Sequence, residues 1–306
     1  FPNLTHATPI VGLANGTYTK ALGGTARLST QTFNAGPSVV EALFAGAIDA
    51  AYIGPSPAVN AYVKSNGEAV RVVAGSASGG VALVVQPGID SAEDLRGKKI
   101  GTPQLGNTQD VAARYWLKEK GLKTTREGGG DVRIVPQENA QSLDTFSSGE
   151  IDGAWVPEPW VSRLVDAGGT VLVDERDLWP ARKFVITHLL VRTEFLQEHP
   201  DVVKRLIQGH VDANALIETE PEKAQRAVSV GIGKLTGKPL ELAIIEKAWP
   251  TLTFLNDPIA SSLVTGAEHA EELGLLEPAD DLAGLYDLKL LNQVLAARGD
   301  PTVPRP

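Results

Sequence analysis

Four short stretches carry residues whose types and spacing could do chemistry, and each lies at the start of a predicted helix. They are Thr5-His6-Ala7-Thr8, Gly54-Pro55-Ser56-Pro57, Gly106-Asn107-Thr108 and Pro157-Glu158-Pro159-Trp160. A helix start leaves backbone N–H groups without intrahelical partners and carries a partial positive charge. The chemistry this favours is non-covalent capture of an anionic group. Ser76 and Ser78, in the run AGSASGG, add hydroxyls at a strand end. Glu158 could pair with an ammonium or amide donor of a solute, and Trp160 could wall its apolar part. His6 and His188 could donate to an anion. A plain structural reading stands beside each of these: Ser56 and Thr108 also fit as ordinary N-caps, and Trp160 and the histidines as core groups.

Reactive chemistry has little support in the chain. There is no cysteine, which removes thiolate ligands, thiol nucleophiles and disulfides. No HExxH and no metal-spaced histidine pair occurs. GIGKLTGKP (231–239) has the outline of a phosphate-binding loop, but Ile232 stands where the first glycine is required and Pro239 where Ser or Thr is. GSASG is not a nucleophile elbow, since Ala77 is at its centre. The expectation is a protein without enzymatic activity, metal or cofactor.

The elements that must position these residues follow from two near-repeats, GAIDAAYIGPSPAV (46–59) and GEIDGAWVPEPWV (149–161). Each reads as a helix stopped at glycine, a strand through Ile-Asp, and a tight turn opening a new helix. Between and around them, short apolar runs alternate with helical patterns, including a strand expected at ARLSTQTF (26–33). Such alternation predicts mainly parallel sheets, one in each half of the first two thirds. Turns of this kind lie at the carboxyl edge of a sheet, where open α/β sheets bind ligands. Two of them facing one another would line a cleft from both sides. After His199 the pattern becomes helical and reads as helices packed outside an existing sheet.

The 306 residues suffice for two cores. A formal charge of −9 disfavours phosphate neutralisation and hence nucleic acid as a partner. No apolar run reaches the length of a membrane span. The chain contains no methionine, so Phe1 is not a translation start, and a processed N-terminus is expected, by removal of a signal peptide or of a lipid-anchored leader.

The segments FNAGPSVVEALFAGAIDAAYIGPSPAV, SAEDLRGKKIGTPQLGNTQD, GEIDGAWVPEPW and FLQEHPDVVKRLIQGHVDAN, in that order, resemble the solute-binding proteins of ABC importers for sulfonates, taurine and nitrate. The resemblance implies a type II periplasmic-binding-protein fold, α/β and two-lobed, each lobe a mainly parallel sheet flanked by helices, with the ligand cleft between lobes. One lobe would comprise 1–86 plus 191–306 and the other 87–190. It further implies a monomeric extracytoplasmic receptor that captures a small anionic organic solute by hinge closure and presents it to an ABC permease in the membrane. An organosulfonate is the expected solute; nitrate, a thiamine-precursor pyrimidine and a same-fold biosynthetic enzyme are the alternatives. The ligand-contacting turns map to Thr5, His6, Ser56, Pro57, Ser76, Ser78, Asn107, Thr108, Glu158 and Trp160, with Thr187 and His188 near the second crossing. The turn at 106–111 lacks the histidine or aromatic expected of sulfonate binders, and Glu-Pro-Trp is similar to the nitrate branch.

Overall fold

A computed structural model describes residues 3–279 and 281–305; Phe1, and with it the expected N-terminal processing site, lies outside them. Two sheets organise these residues. The first contains β1 (Ala50–Ile53), β2 (Val70–Gly79), β8 (Val185–Arg192) and β9 (Leu252–Phe254), in the order β1-β8-β2-β9. The second contains β3 (Val81–Val85), β4 (Lys99–Thr102), β5 (Arg133–Pro136), β6 (Gly153–Pro157) and β7 (Thr170–Asp174), in the order β5-β4-β6-β3-β7. Runs of Val, Ile and Ala make β2, β3, β6 and β8 almost wholly buried, as expected of strands covered on both faces.

The expectation of mainly parallel sheets is corrected by the pairing. In the first sheet β8 pairs antiparallel with both β1 and β2, and β9 pairs antiparallel with β2. β1 and β2 do run in the same direction, joined by the helix Pro55–Lys64, as a βαβ reading requires. The returning chain then inserts β8 between them, so no strands in this sheet are parallel neighbours. In the second sheet β4 is parallel to β5 and β6, while β3 is antiparallel to β6 and β7. Alternation along the chain reports strand direction, and it is blind to a strand arriving from the other lobe.

The strand expected at 26–33 is also corrected: these residues form no regular secondary structure, and most are exposed. Among the described residues the edge strand nearest the repeat, β1, has β8 as its partner and nothing on its other side. A strand needs a ladder partner as well as a propensity.

The chain leaves the first sheet between Gly79 and Val81 and comes back between Asp174 and Val185, a few residues before the expected lobe boundaries at 86/87 and 190/191. The C-terminal third is helical as predicted, with Pro200–Thr219, Pro221–Thr236, Ala260–Glu272 and Lys289–Arg298 packed on the first sheet's side. No helix among the described residues is long and apolar enough to cross a membrane.

Candidate functional site

Helix starts from both lobes meet around one small cavity of about 30 Å³. From the first lobe come Asn3, Thr5 and His6, at the start of Ala7–Asn15; Asn34 and Gly36, at the start of Gly36–Phe44; and Gly54, which caps Pro55–Lys64. From the second come Asn107, Thr108 and Gln109, at the start of Thr108–Glu119, and Asn139, at the start of Asn139–Ser147. Pro103, Pro157 and Ile186 supply apolar wall. Five helix N-termini therefore point towards one space, and the lining residues include no Lys, Arg, Asp or Glu. Partial positive charge without a fixed counter-cation is the electrostatic signature of an anion site read by neutral donors.

Local chemistry explains the placements. Asn107 accepts the N–H of Gln109 at 3.1 Å, a side-chain N-cap that starts the helix at Thr108. Thr5 Oγ1 lies 3.1 Å from His6 Nδ1, fixing the ring beside the cavity. Burial pushes the His6 imidazole well below its ordinary pKa of 6.5, so it acts as a neutral hydrogen-bonding group. Thr108 Oγ1 and Asn139 Oδ1 are shielded from solvent and have no hydrogen-bond partner among the described residues. Buried polar atoms of this kind are normally satisfied, so both are suited to meet a bound group. Gly54 is required by closeness: a Cβ there would stand 2.6 Å from Thr108 Oγ1, across the lobe seam.

That seam is closed along its length. Leu4 N–H donates to the Glu158 carbonyl at 2.9 Å, and the Trp160 indole N–H to Asn3 Oδ1 at 2.9 Å. Asn34 Nδ2 donates to the exposed Glu138 carboxylate. On the flanks Lys118 pairs with Glu272 at 2.7 Å, Lys247 pairs with Asp166 at 2.6 Å, and the Tyr115 and His269 rings stack.

The remaining expected residues are distributed around the cavity without lining it. Ser56 lines a second, smaller space of about 10 Å³, and Pro57 packs against Gly36. Ser76 and Thr187 are buried in the first sheet, and Ser78 Oγ accepts the N–H of Phe184 at 3.3 Å. His188 Nε2 bonds the Pro258 carbonyl at 3.0 Å, and burial lowers this imidazole to about 4. The Glu158 carboxyl turns back onto its own helix, taking the N–H and hydroxyl of Ser162 at 3.0 Å each, and burial raises it to about 7. Arg163 lies over the Trp160 ring at 4.8 Å.

The sequence reading missed Asn3, Asn34, Gln109 and Asn139. For Asn139 the signal was present, since IVPQENAQSL is a fifth strand–turn–helix passage of the same kind as the others. Among the described residues no cluster of His, Asp or Glu is arranged to hold a metal ion.

Fold and site define a two-lobed α/β protein with a small, neutral, polar-lined cavity between the lobes, and the fold is that of periplasmic binding proteins. The chain belongs to the NMT1-like family, whose model matches residues 1–232. A putative binding protein of Brucella abortus (strain 2308) is 30% identical over 197 residues, which are 64% of this chain and 59% of that protein. The chain thus spans 59% of the length of the first curated relatives that it matches. The taurine-binding periplasmic protein of Escherichia coli (strain K12) is 30% identical over 212 residues, 69% of this chain and 63% of that one. In structure, the periplasmic nitrate-binding protein NrtA of Synechocystis PCC 6803 superposes with a TM-score of 0.82, at 15% identity over 97% of this chain and 86% of that one.

Proposed function

We propose that the chain is an extracytoplasmic solute receptor of an ABC importer and that it captures a short-tailed organosulfonate of the taurine type. The observation that carries this reading is the convergence of five helix N-termini on one small cavity with neutral lining. Thr108, Asn107, Gln109 and the amides of the helix starts hold the sulfonate oxygens, with His6 beside them; Asn139 Oδ1, an acceptor, suits the ammonium end of a taurine-type solute. A taurine-binding relative of 30% identity supports the sulfonate. The cavity, about 30 Å³ against the space near 150 Å³ that admits a benzene ring, favours a short tail over a bulky one. Closure of the seam over the solute gives the membrane permease one surface spanning both lobes, and the receptor does this as a single copy without turning its ligand over.

Nitrate is the second reading, favoured by the same small volume and by the likeness in fold to a nitrate-binding protein. A thermal-shift series on refolded, ligand-stripped protein separates them, using taurine, ethanesulfonate, aromatic sulfonates, sulfate, nitrate and pyrimidines. A ligand present at about a thousand times its dissociation constant adds about 4 kcal/mol of stability. Stabilisation by taurine or ethanesulfonate, with nitrate silent, is the expected result. A response to nitrate alone replaces the sulfonate, and silence throughout removes the anion-receptor reading.

A further inference from the structure

The loop that brings Pro103, Asn107, Thr108 and Gln109 to the cavity is held from behind by a residue that does not line it. Asp110 is fully buried, and its carboxylate bridges the two ends of that loop. One oxygen accepts the Thr102 hydroxyl at 2.8 Å, where β4 ends; the other accepts the Gly106 N–H at 3.0 Å, where the helix begins. Gly106 sits at φ +72°, a backbone state that only glycine adopts cheaply, so the loop has a single shape to be held in. Arg114, one helical turn on and 2% exposed, donates Nε to the same Asp110 oxygen at 3.0 Å and Nη1 to the Thr125 carbonyl.

The arrangement poses an electrostatic conflict. A carboxylate in the first helical turn suits the helix dipole, yet it opposes an anion bound at that same helix end. The guanidinium of Arg114 offsets it at contact distance. Outside the aqueous phase such a pair is strongly coupled, and removing one member leaves the other uncompensated.

We infer that Asp110 is a positioning residue for the anion-binding loop and that Arg114 is the counter-charge that lets an anion bind above it. This inference rests on the anion-receptor reading for its second half only. Anion affinity then depends on a residue that never touches the ligand.

Two measurements on the full chain test it. The first is amide hydrogen exchange without ligand, comparing the unaltered protein with Asp110→Asn. The Gly106 and Gln109 amides are expected to exchange at least about tenfold faster, with the second sheet unchanged, as for a local opening. Unchanged exchange at Gly106 overturns the clamp, whatever the ligand proves to be. The second is calorimetric titration with ethanesulfonate, and with nitrate in parallel, of Arg114→Gln, Arg114→Lys, Asp110→Asn and the double variant Asp110→Asn/Arg114→Gln. In the unaltered background Arg114→Gln is expected to weaken binding about tenfold or more, the scale of an unpaired buried charge, and Arg114→Lys to regain most of that loss. Added to Asp110→Asn, which loosens the loop by itself, the same Arg114→Gln change is expected to cost much less, because no buried carboxylate is left uncompensated. An equal cost of Arg114→Gln in both backgrounds assigns the residue to packing and overturns the counter-charge role. If neither probe binds the unaltered chain, the receptor reading and the counter-charge role fall together, and the exchange result still decides the clamp.

Discussion

The indole N–H of Trp160 and the side-chain oxygen of Asn3 meet at 2.9 Å across the seam between the lobes. Next to them the Leu4 amide reaches the Glu158 carbonyl, so the second lobe's strand–turn–helix passage is tied by two bonds to the first lobe's opening residues. Neither bond can exist once the lobes part. On the receptor reading the pair belongs to the closed form, and Trp160 would act on a ligand through closure. Trp160→Phe keeps most of the ring and loses the donor. A hydrogen bond is worth about 0.5–1.5 kcal/mol, so solute affinity should fall about two- to tenfold. Calorimetry with ethanesulfonate would read this, with unchanged affinity removing Trp160 from the closing device.

Thr108→Val keeps the shape of a buried side chain whose oxygen has no protein partner. The free protein should lose little stability, because no internal bond is broken. Affinity for the anion should fall by about 1.5–3 kcal/mol, the range for a hydrogen bond to a charged group. A melting temperature that drops while affinity holds would mean that this hydroxyl serves the fold.

Gly54→Ala places a methyl group 2.6 Å from Thr108 Oγ1 on the opposite lobe. Gly54 has φ −72°, so alanine is tolerated by the backbone and the conflict arises only on closure. The variant should fold normally, show a larger radius of gyration in solution scattering with ligand present, and bind more weakly. A scattering profile that matches the unaltered protein would show that the lobes do not approach there.

Glu158 makes stability depend on pH in a defined direction. Burial raises its carboxyl from an ordinary 4.5 to about 7. A group held protonated in the folded state gives its full stabilisation below about 4.5, and this is lost as pH rises towards 7. The buried imidazoles of His188 and His210, lowered to about 4, act in the opposite sense over a similar range. The informative quantity is therefore the difference between Glu158→Gln and the unaltered chain. Relative to the unaltered chain, the Gln variant should gain stability between pH 4.5 and 7 and level off above, in denaturant melts. A difference that is flat with pH would place Glu158 in a wetter setting than its 2% exposure implies.

Much of the cavity lining was legible because it is made of local signals. Thr5, His6, Asn107 and Thr108 are helix-start residues, and capping chemistry is written within a few positions of the chain. Asn34 was not legible: the expected strand at 26–33 put it in an unremarkable turn, and only closure brings it to Glu138. Ser76 and Ser78 are harder to read, since a hydroxyl near a strand end looks the same in sequence whether it faces a cleft or, like Ser78, receives a backbone N–H in the core; Ser76 Oγ is buried with no hydrogen-bond partner among the described residues. The direction of β8 was likewise invisible. VITHLLVR declares itself a buried strand by composition, but its neighbours are fixed by a return from the other lobe about a hundred residues later.

That return has a consequence for how the molecule is made. The second sheet is assembled from one continuous stretch, residues 81–174, so its partners emerge from the ribosome together. In the first sheet β1 and β2 must wait for β8 to fill the space between them, and β9 follows later still. Closing loops of that length is slow, and domains tend to fold as units when their strands become available. The second lobe is therefore the part whose sheet can form first, with the first lobe completed once β8 and β9 are available. Until residue 192 has emerged, β1 and β2 present apolar edges with no partner, and this is the interval in which the nascent chain is most exposed to aggregation.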